Sequence, residues 1–244
     1  VDDVARTVRE AFHIASTGRP GPVLIDVPSD LAAEPVLFEY PEKVSIASYR
    51  PTYKGNAKQV KAAASLVAKA RRPVLYVGGG VVSSGASAQV MRCMKDFGLP
   101  AVTTLMAKGA VPSREPLNFG PVGMHGSRYA NSALNRADLI IAVGARFSNR
   151  VTGDIASFAP GAKVVHIDVD PAEINKNVVV DASVIGDVKE ALNRLMPLLK
   201  QQDHSEWMAK IHDYTLKFPM FYDKNKLTCP YIIEELDKLT NGEA

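Results

Sequence analysis

Short, uninterrupted apolar runs alternate with amphipathic segments through the middle of this 244-residue chain, and this alternation restricts the fold more than any other feature. The run Leu-Ile-Ile-Ala-Val at residues 139–143 is typical, because it has no polar face and fits a strand covered on both sides. The pattern predicts a doubly wound α/β domain, with a parallel sheet and helices on both faces. The predicted strands are 73–77, 101–104, 138–143, 163–169 and 184–185, and the predicted helices are 56–69, 84–97, 127–135 and 188–199.

Composition excludes several classes of protein. Hydrophobic residues make up 46% of the chain and charged residues 23%, which is typical of a folded globular protein. The formal charge is +3 and the basic residues are scattered, so neither a nucleic-acid partner nor a membrane partner is expected. We find no membrane-length apolar run and no signal peptide, and we expect a soluble, intracellular chain. Cys93 and Cys229 have no CxxC partner, which argues against a zinc site or a disulfide framework.

The segments that flank the alternating region have different patterns. The chain begins with Val1 and reads at once into an amphipathic helix over residues 2–16, as in a piece of a longer protein. Residues 23–27 are predicted to form a short buried strand. Prolines are frequent from Pro28 to Pro51, which indicates an interdomain linker. Two further helices are predicted beyond Lys200, one around Trp207 and one over residues 231–239.

Three consecutive glycines follow the first predicted strand of the sheet. In an open parallel sheet, ligands bind beyond the carboxyl ends of the strands, so residues at such positions are candidates for a binding site. Gly78, Gly79 and Gly80 would let backbone N–H groups approach a phosphate at the start of the next helix. They match neither the G-x-G-x-x-G fingerprint nor the P-loop, and a tight turn close to its helix explains them equally well.

Two other predicted loops carry glycine together with basic residues. Gly123-Met124-His125-Gly126 precedes a helix, and residues 144–153 follow an apolar strand and contain Arg146 and Arg150. The planar guanidinium group suits phosphate because it can donate two parallel hydrogen bonds. The alternative for these arginines is plain solvent exposure on a surface loop.

His166, Asp168 and Asp170 alternate along one strand. They could form a metal site, but Asp168 and Asp170 more simply end the strand and cap the helix that begins at Pro171. A strand-end carboxylate can also accept hydrogen bonds from a nucleotide ribose, and Gly186-Asp187 repeats this arrangement. No nucleophile elbow and no H-E-x-x-H motif occurs. The residues therefore indicate a protein that binds an extended phosphorylated ligand and contains no evident nucleophile or acid–base pair.

Several motifs, taken in order, resemble the large subunit of acetolactate (acetohydroxyacid) synthase, a family of thiamine-diphosphate enzymes. They are Gly18-Arg19-Pro20-Gly21-Pro22-Val23, Thr104-Leu105-Met106, Gly123-Met124-His125-Gly126, Gly144-Ala145-Arg146-Phe147, Arg150-Val151-Thr152-Gly153 and His166-Ile167-Asp168. The resemblance covers essentially the whole chain. It implies that residues 1–30 end a pyrimidine-binding domain, 31–55 form a linker, 56–200 form a central FAD-binding domain, and 201–244 lead into a pyrophosphate-binding domain.

The resemblance also implies an activity and its cofactors. Members of the family condense two pyruvates, or pyruvate and 2-ketobutyrate, to 2-acetohydroxy acids in the biosynthesis of branched-chain amino acids. They use thiamine diphosphate and Mg²⁺, and they bind FAD, which does no net redox work in the reaction. The residues implied to contact FAD are Arg19, Gly79, Thr104, Leu105, Gly123, Met124, His125, Gly144, Ala145, Arg146, Phe147, Ser148, Asp168, Val169, Asp187 and Val188.

Arg150, Asn149 and Met124 are implied to line the channel for substrates and inhibitors. The sequence departs from the family pattern at Ser29, at Ala107 and at Ser148-Asn149, where family members commonly carry Lys, Gly and Asp-Asp. These departures put substrate and inhibitor preference in doubt. They leave open glyoxylate carboligase, pyruvate oxidase and oxalyl-CoA decarboxylase as related alternatives, and a non-catalytic nucleotide-binding module as an alternative of another class.

The resemblance carries expectations about assembly and location as well. The complete protein is expected to form a homodimer or homotetramer, a regulatory small subunit is left open, and the location is the cytoplasm, or a plastid or mitochondrion in a eukaryote. The family's catalytic glutamate and its Gly-Asp-Gly motif for Mg²⁺ and diphosphate are not matched here, and no Gly-Asp-Gly occurs in the sequence. We therefore expect the isolated chain to be catalytically inert and to contain no metal site.

Overall fold

The computed structural model describes residues 1–242 and contains one six-stranded sheet in which every strand pair is parallel. The strand order is β3-β2-β1-β4-β5-β6, which reverses direction between β1 and β4. The predicted doubly wound α/β fold is thereby confirmed. The strands are β1 (Pro73–Val77), β2 (Ala101–Thr103), β3 (Asn118–Pro121), β4 (Leu139–Val143), β5 (Lys163–Asp168) and β6 (Ala182–Ile185).

Nine α-helices lie within the described residues. None of them is both long and apolar enough to cross a bilayer. The helices are α1 (Val4–Ser16), α2 (Ala57–Val67), α3 (Gly79–Ser83), α4 (Ser87–Phe97), α5 (Arg128–Arg136), α6 (Asn149–Thr152), α7 (Val188–Leu195), α8 (Ser205–Lys217) and α9 (Cys229–Leu239).

The two central strands explain why the sheet is buried on both faces. All five residues of β1 and all five of β4 are buried, and the strands pair in register from Pro73 opposite Leu139 to Val77 opposite Val143. Successive side chains along a strand point to opposite faces. Leu75 and Ile141 accordingly pack on one face with α2, α4 and α7, whereas Tyr76 packs on the other face with α5 and α8.

Helix α8 contributes to the second of these cores, although it follows residue 200. Trp207 and Ile211 are 3% and 0% exposed and belong to the cluster that includes Tyr76. The Trp207 indole Nε1 donates a hydrogen bond to the Pro73 carbonyl oxygen at 3.1 Å. The sheet is therefore covered partly by residues beyond the predicted boundary at 200, while the domain boundaries themselves stay predictions.

The strand predicted at residues 23–27 is wrong. This segment is not assigned to any strand, and no described segment pairs with it. Leu24 is 92% exposed and Val27 is 53% exposed. A β-branched run has the right propensity, but a strand also needs a partner for its backbone groups, and none of the described strands lies beside it.

The segment predicted as a linker is mostly irregular and is tied to its surroundings by tyrosines. The Tyr49 hydroxyl donates to the Thr17 carbonyl oxygen at 2.9 Å, and the Tyr53 hydroxyl accepts from the Gly18 N–H at 2.9 Å. Tyr53 also accepts a hydrogen bond at its carbonyl oxygen from the Asp187 N–H. The chain between α1 and α2 thus runs from the first helix to the carboxyl end of β6.

Candidate functional site

The carboxyl ends of β1 and β4 meet at the point where the strand order reverses, and the turns that follow them are in backbone contact. The Gly80 N–H donates to the Gly144 carbonyl oxygen at 3.0 Å, and the Gly78 N–H donates to the Val143 carbonyl oxygen at 2.9 Å. A Cβ atom on Gly78 would lie 2.0 Å from the Gly144 oxygen. Glycine is required here because two backbones pass each other with no room for a side chain.

The loop after β4 presents its backbone and Arg146 to this edge. Gly144 has a φ of +59°, and Phe147 has a φ of 50°, which is uncommon for a residue with a side chain. The Asn177 side-chain amide donates to the carbonyl oxygens of Arg146 and Phe147 at 3.3 and 3.1 Å, so it holds this turn. Arg146 itself is exposed and forms no ion pair with any described residue.

The Phe147 ring does not reach the candidate site. It is 2% exposed and lies 5.5 Å from the Tyr76 ring and 5.2 Å from the His166 ring, measured between centroids. The methyl group of Ala145 and the side chain of Val188 are buried as well. These three predicted contact residues can therefore offer a ligand only their backbone atoms.

The loop after β2 lies beside the three-glycine turn. The Thr104 N–H donates to the Val77 carbonyl oxygen at 2.8 Å, and a Cβ atom on Gly79 would lie 3.1 Å from the Met106 Cβ. The Thr104 hydroxyl oxygen is buried without a hydrogen-bond partner. Leu105 is 69% exposed, so an apolar surface and an unsatisfied hydroxyl lie together next to the glycines.

The loop after β3 is held by a side chain that sequence reasoning missed. Asn131 accepts from the Gly123 N–H at 2.8 Å and donates to the Gly123 carbonyl oxygen at 3.0 Å. The Met124 N–H donates to the Arg150 carbonyl oxygen at 2.8 Å, which joins this loop to α6. Met124 and His125 are exposed at its tip. The predicted channel residues Met124, Asn149 and Arg150 are thus brought to neighbouring backbone positions.

The carboxylates after β5 and β6 already have partners within the protein. Asp168 is 6% exposed and accepts from the Asp170 N–H at 2.9 Å. Asp187 accepts from the Glu190 N–H at 3.1 Å and caps α7. Val169 is partly buried. Each aspartate keeps one carboxylate oxygen without a hydrogen bond to a described residue, although the Asp168 Oδ2 lies close to the buried His166 ring.

Asp170 caps the short helical turn at Pro171–Glu173 by accepting from the Ala172 N–H, as the capping interpretation predicts. The His166 ring is buried, and its Nε2 lies 3.7 Å from the Asp168 Oδ2. Among residues 1–242, no group of three or more His, Cys, Asp or Glu side chains is arranged to hold a metal ion.

Arg19 reaches this edge from the amino-terminal segment. Its Nη1 lies 2.7 Å from the Glu173 Oε1 and 3.2 Å from the Asp170 Oδ2. Partial burial lowers the pKa of the Arg19 guanidinium, but the hydrogen bonds to Glu173 and Asp170 outweigh it and leave the pKa raised. The arginine is therefore fixed beside the end of β5 by two carboxylates.

Hydrogen-bond donors and apolar side chains lie together at this edge of the sheet. Glycine turns expose backbone N–H groups, the Thr104 hydroxyl lacks a partner, and the guanidinium groups of Arg146 and Arg150 are free of carboxylates among the described residues. Such groups suit an anionic ligand, and the exposed Leu105 and Met124 suit a flat apolar ring.

The sequence pattern of the family described as thiamine pyrophosphate enzyme, central domain, matches residues 60–195. The matched region spans the sheet from α2 to the end of α7. The chain belongs to this family.

Three similar proteins indicate where in the family the chain falls. It is 42% identical to "Acetolactate synthase" of Mycobacterium bovis, over all of this chain and 41% of that protein. It is 42% identical to "Acetolactate synthase large subunit" of Corynebacterium glutamicum and 42% identical to "Acetolactate synthase 1, chloroplastic" of Zea mays, in each case over all of this chain and 40% of the relative. The chain therefore spans about 40% of the length of these relatives.

Proposed function

We propose that this chain is the central part of an acetolactate synthase large subunit and that the carboxyl edge of its sheet binds FAD. The observation that carries the proposal is the meeting of the Gly78 and Gly144 turns where the strand order reverses, with Arg146 free beside them. A dinucleotide needs close backbone approach for its diphosphate, which only glycine turns permit. The likeness to three acetolactate synthases over the whole chain supports the assignment to a large subunit of that enzyme.

The residues at this edge would contact different parts of FAD. Backbone N–H groups of Gly79, Gly144 and Ala145 and the guanidinium of Arg146 would hold the diphosphate. The free carboxylate oxygens of Asp168 and Asp187 would accept from sugar hydroxyls, and Leu105 and Met124 would cover a ring. FAD would serve here as a bound group without net redox chemistry. The remaining proposed contacts are Arg19, Thr104, Gly123, His125, Phe147, Ser148, Val169 and Val188.

Arg150, Asn149 and Met124 are proposed to line the way to a reaction centre that other parts of the protein complete. Thiamine diphosphate and Mg²⁺ would be held by those parts. We propose the same division of the chain as above, with 1–30, 31–55, 56–200 and 201–244 as successive regions. Pyruvate and 2-ketobutyrate are the proposed substrates of a homodimeric or homotetrameric whole, located in the cytoplasm or, in a eukaryote, in a plastid or mitochondrion.

A fluorescence titration of the purified chain with FAD, with ADP and NAD as competitors, tests the cofactor. Saturable binding that prefers FAD is expected. Arg146→Gln should weaken it about tenfold, because a charge-assisted hydrogen bond is lost. Arg71→Gln is the matched control, since Arg71 is an exposed arginine two residues before the start of β1. Preference for ADP over FAD would favour an oxalyl-CoA decarboxylase-like relative instead, and equal loss in both variants would refute the site.

The activity is tested separately. The 244-residue chain, supplied with thiamine diphosphate, Mg²⁺, FAD and pyruvate, is expected to form no acetolactate above a no-protein control. The full-length gene product that contains this sequence should form acetolactate from pyruvate and 2-aceto-2-hydroxybutyrate when 2-ketobutyrate is added. Product from glyoxylate alone would identify a glyoxylate carboligase and would overturn the assignment.

A further inference from the structure

We propose a second anion site, for a small phosphate-class oxyanion, at the edge of the sheet opposite the glycine turns. A cavity of about 190 Å³ lies there, between α8 and the segments that lead into β1, β4 and β5. Because these three strands are parallel neighbours, their amino ends share one edge of the sheet. The cavity is thus separated from the proposed cofactor site by the length of the strands.

The cavity's side chains supply cations and hydrogen-bond donors. Arg72, Arg136 and Lys210 all line it, and no lining residue carries a carboxylate. None of the three cations forms an ion pair with any of residues 1–242. The Asn135 Oδ1 accepts from the Ala159 N–H at 3.0 Å, so its remaining polar atom, Nδ2, is a further donor.

An acidic residue of the same edge, Asp138, does not line the cavity. It follows Ala137, and its two carboxylate oxygens accept from the backbone N–H groups of Arg71 and Arg72, each at 2.9 Å. The carboxylate keeps its negative charge, and these two hydrogen bonds hold it at the turn before β1. Three positive charges that share one concave surface repel each other, and an anion between them removes that repulsion.

The aromatic wall of the cavity contains an unsatisfied group. Tyr214 is 7% exposed, and its hydroxyl is buried without a hydrogen-bond partner. The Arg136 guanidinium lies over the Tyr214 ring, 5.8 Å from its centroid, which limits the positions that the arginine adopts. The Trp207 Nε1 donates its hydrogen bond to the Pro73 carbonyl oxygen and so is not a donor for an anion. Tyr214 thus contributes its ring to the cavity wall, and its hydroxyl is a polar group that still lacks a hydrogen-bond partner.

The size of the cavity limits the ligand. A volume of about 190 Å³ is below the range of roughly 300–1,000 Å³ typical of sites for larger organic ligands. The ligand class is therefore inorganic phosphate, sulfate or the phosphate group of a small phosphomonoester. This inference does not depend on the proposed cofactor or activity.

Titration calorimetry of the purified chain with inorganic phosphate, against sodium chloride at matched ionic strength, tests the proposal. Saturable binding is expected, about tenfold weaker in Lys210→Met and in Arg136→Gln, because each removes a charge-assisted contact. Lys61→Met is the matched control, because Lys61 is an exposed lysine of α2 that lies outside the cavity. Tyr214→Phe reports whether the hydroxyl takes part. A parallel titration with a methyl phosphate ester separates free phosphate from a phosphate group as the ligand.

Three outcomes would overturn the proposal. The first is an absence of saturable phosphate binding by the folded wild-type chain. The second is binding that is lost in Arg150→Gln and kept in Lys210→Met, which would place the anion at the glycine turns. The third is a lower melting temperature of Arg136→Gln with unchanged phosphate affinity, which would show that this arginine only compensates the carboxyl end of α5.

Discussion

Replacing Gly78 with alanine tests the claim that two backbone turns must touch where the strand order reverses. The added methyl carbon would lie 2.0 Å from the Gly144 carbonyl oxygen and 2.5 Å from the Ala145 Cα. Both are backbone atoms, so no side-chain rotation relieves the contact. Gly78 has a φ of −109°, which alanine adopts readily, and the cost of the substitution is therefore steric alone.

The size of the effect follows from what must move. The Gly78 N–H bonds to Val143 and the Gly80 N–H bonds to Gly144, at 2.9 and 3.0 Å, so separating the turns stretches both hydrogen bonds. Overpacking of this kind costs about 1–3 kcal/mol of unfolding free energy. For a chain of this length, that cost lowers the melting temperature by about 2–12 °C. FAD affinity should fall together with stability, because the same backbone atoms would face the diphosphate.

The assay is thermal unfolding followed by circular dichroism, together with the FAD titration. Gly161→Ala is the matched control, because a Cβ atom there meets nothing within 4 Å and Gly161 does not have a positive φ. That variant should melt at or slightly above the wild-type temperature, since alanine reduces the entropy of the unfolded chain. The reasoning is refuted if Gly78→Ala melts together with Gly161→Ala.

Three further predictions concern single side chains. Asn131→Ala removes both hydrogen bonds to Gly123 and should weaken FAD binding about tenfold. Asn225→Ala, on an exposed turn, is the control and should bind FAD like the wild type. Equal FAD titration curves for the two variants would contradict this prediction. Trp207 is the only tryptophan, so its fluorescence reports on α8. If α8 unfolds together with the sheet, the fluorescence and the circular dichroism should have the same urea midpoint; a lower midpoint for the fluorescence would show that α8 unfolds first. Burial raises the pKa of the Cys93 thiol to about 12, so a thiol reagent at pH 8 should label only the exposed Cys229 of the folded chain, and Cys229→Ser should abolish labelling. A cysteine in the unfolded chain ionises at about pH 8.5, below the pKa of the buried Cys93. The free energy of unfolding should therefore fall as the pH rises from there toward 12.

The sheet could be predicted from sequence because its inner strands are continuous apolar runs. β1 and β4 are buried along their whole length and read as continuous apolar runs, so their positions agree with prediction to within one residue. β3 carries only one buried apolar residue, Phe119, together with Asn118, Gly120 and Pro121. Its pairing with β2 shifts register, and nothing local distinguishes such a strand from a loop.

The binding loops could be located, but the contacts that hold them could not. Glycine after a strand indicates close approach, which places Gly78 and Gly144 correctly at one edge. Asn131 and Asn177 hold these loops by bonding to backbone atoms 8 and about 30 residues away. Such partners depend on the folded chain, so no sequence spacing indicates them. Burial of the Phe147 ring is likewise a property of packing against Tyr76 and His166.

The two edges of the sheet owe their chemistry to the same feature of the fold. Parallel strands place all their carboxyl ends at one edge, where the glycine turns expose backbone donors, and all their amino ends at the other, where Arg72 and the residues beside Asp138 gather. Helix α8 closes the amino edge through Trp207, and its Lys210 thereby joins the cavity. Ligand occupancy of the anion site should stabilise the packing of α8. Phosphate should therefore raise the urea midpoint of Trp207 fluorescence in the wild type and raise it less in Lys210→Met. A midpoint that rises equally in both would mean that phosphate acts as a general salt and that α8 is held by its apolar contacts alone.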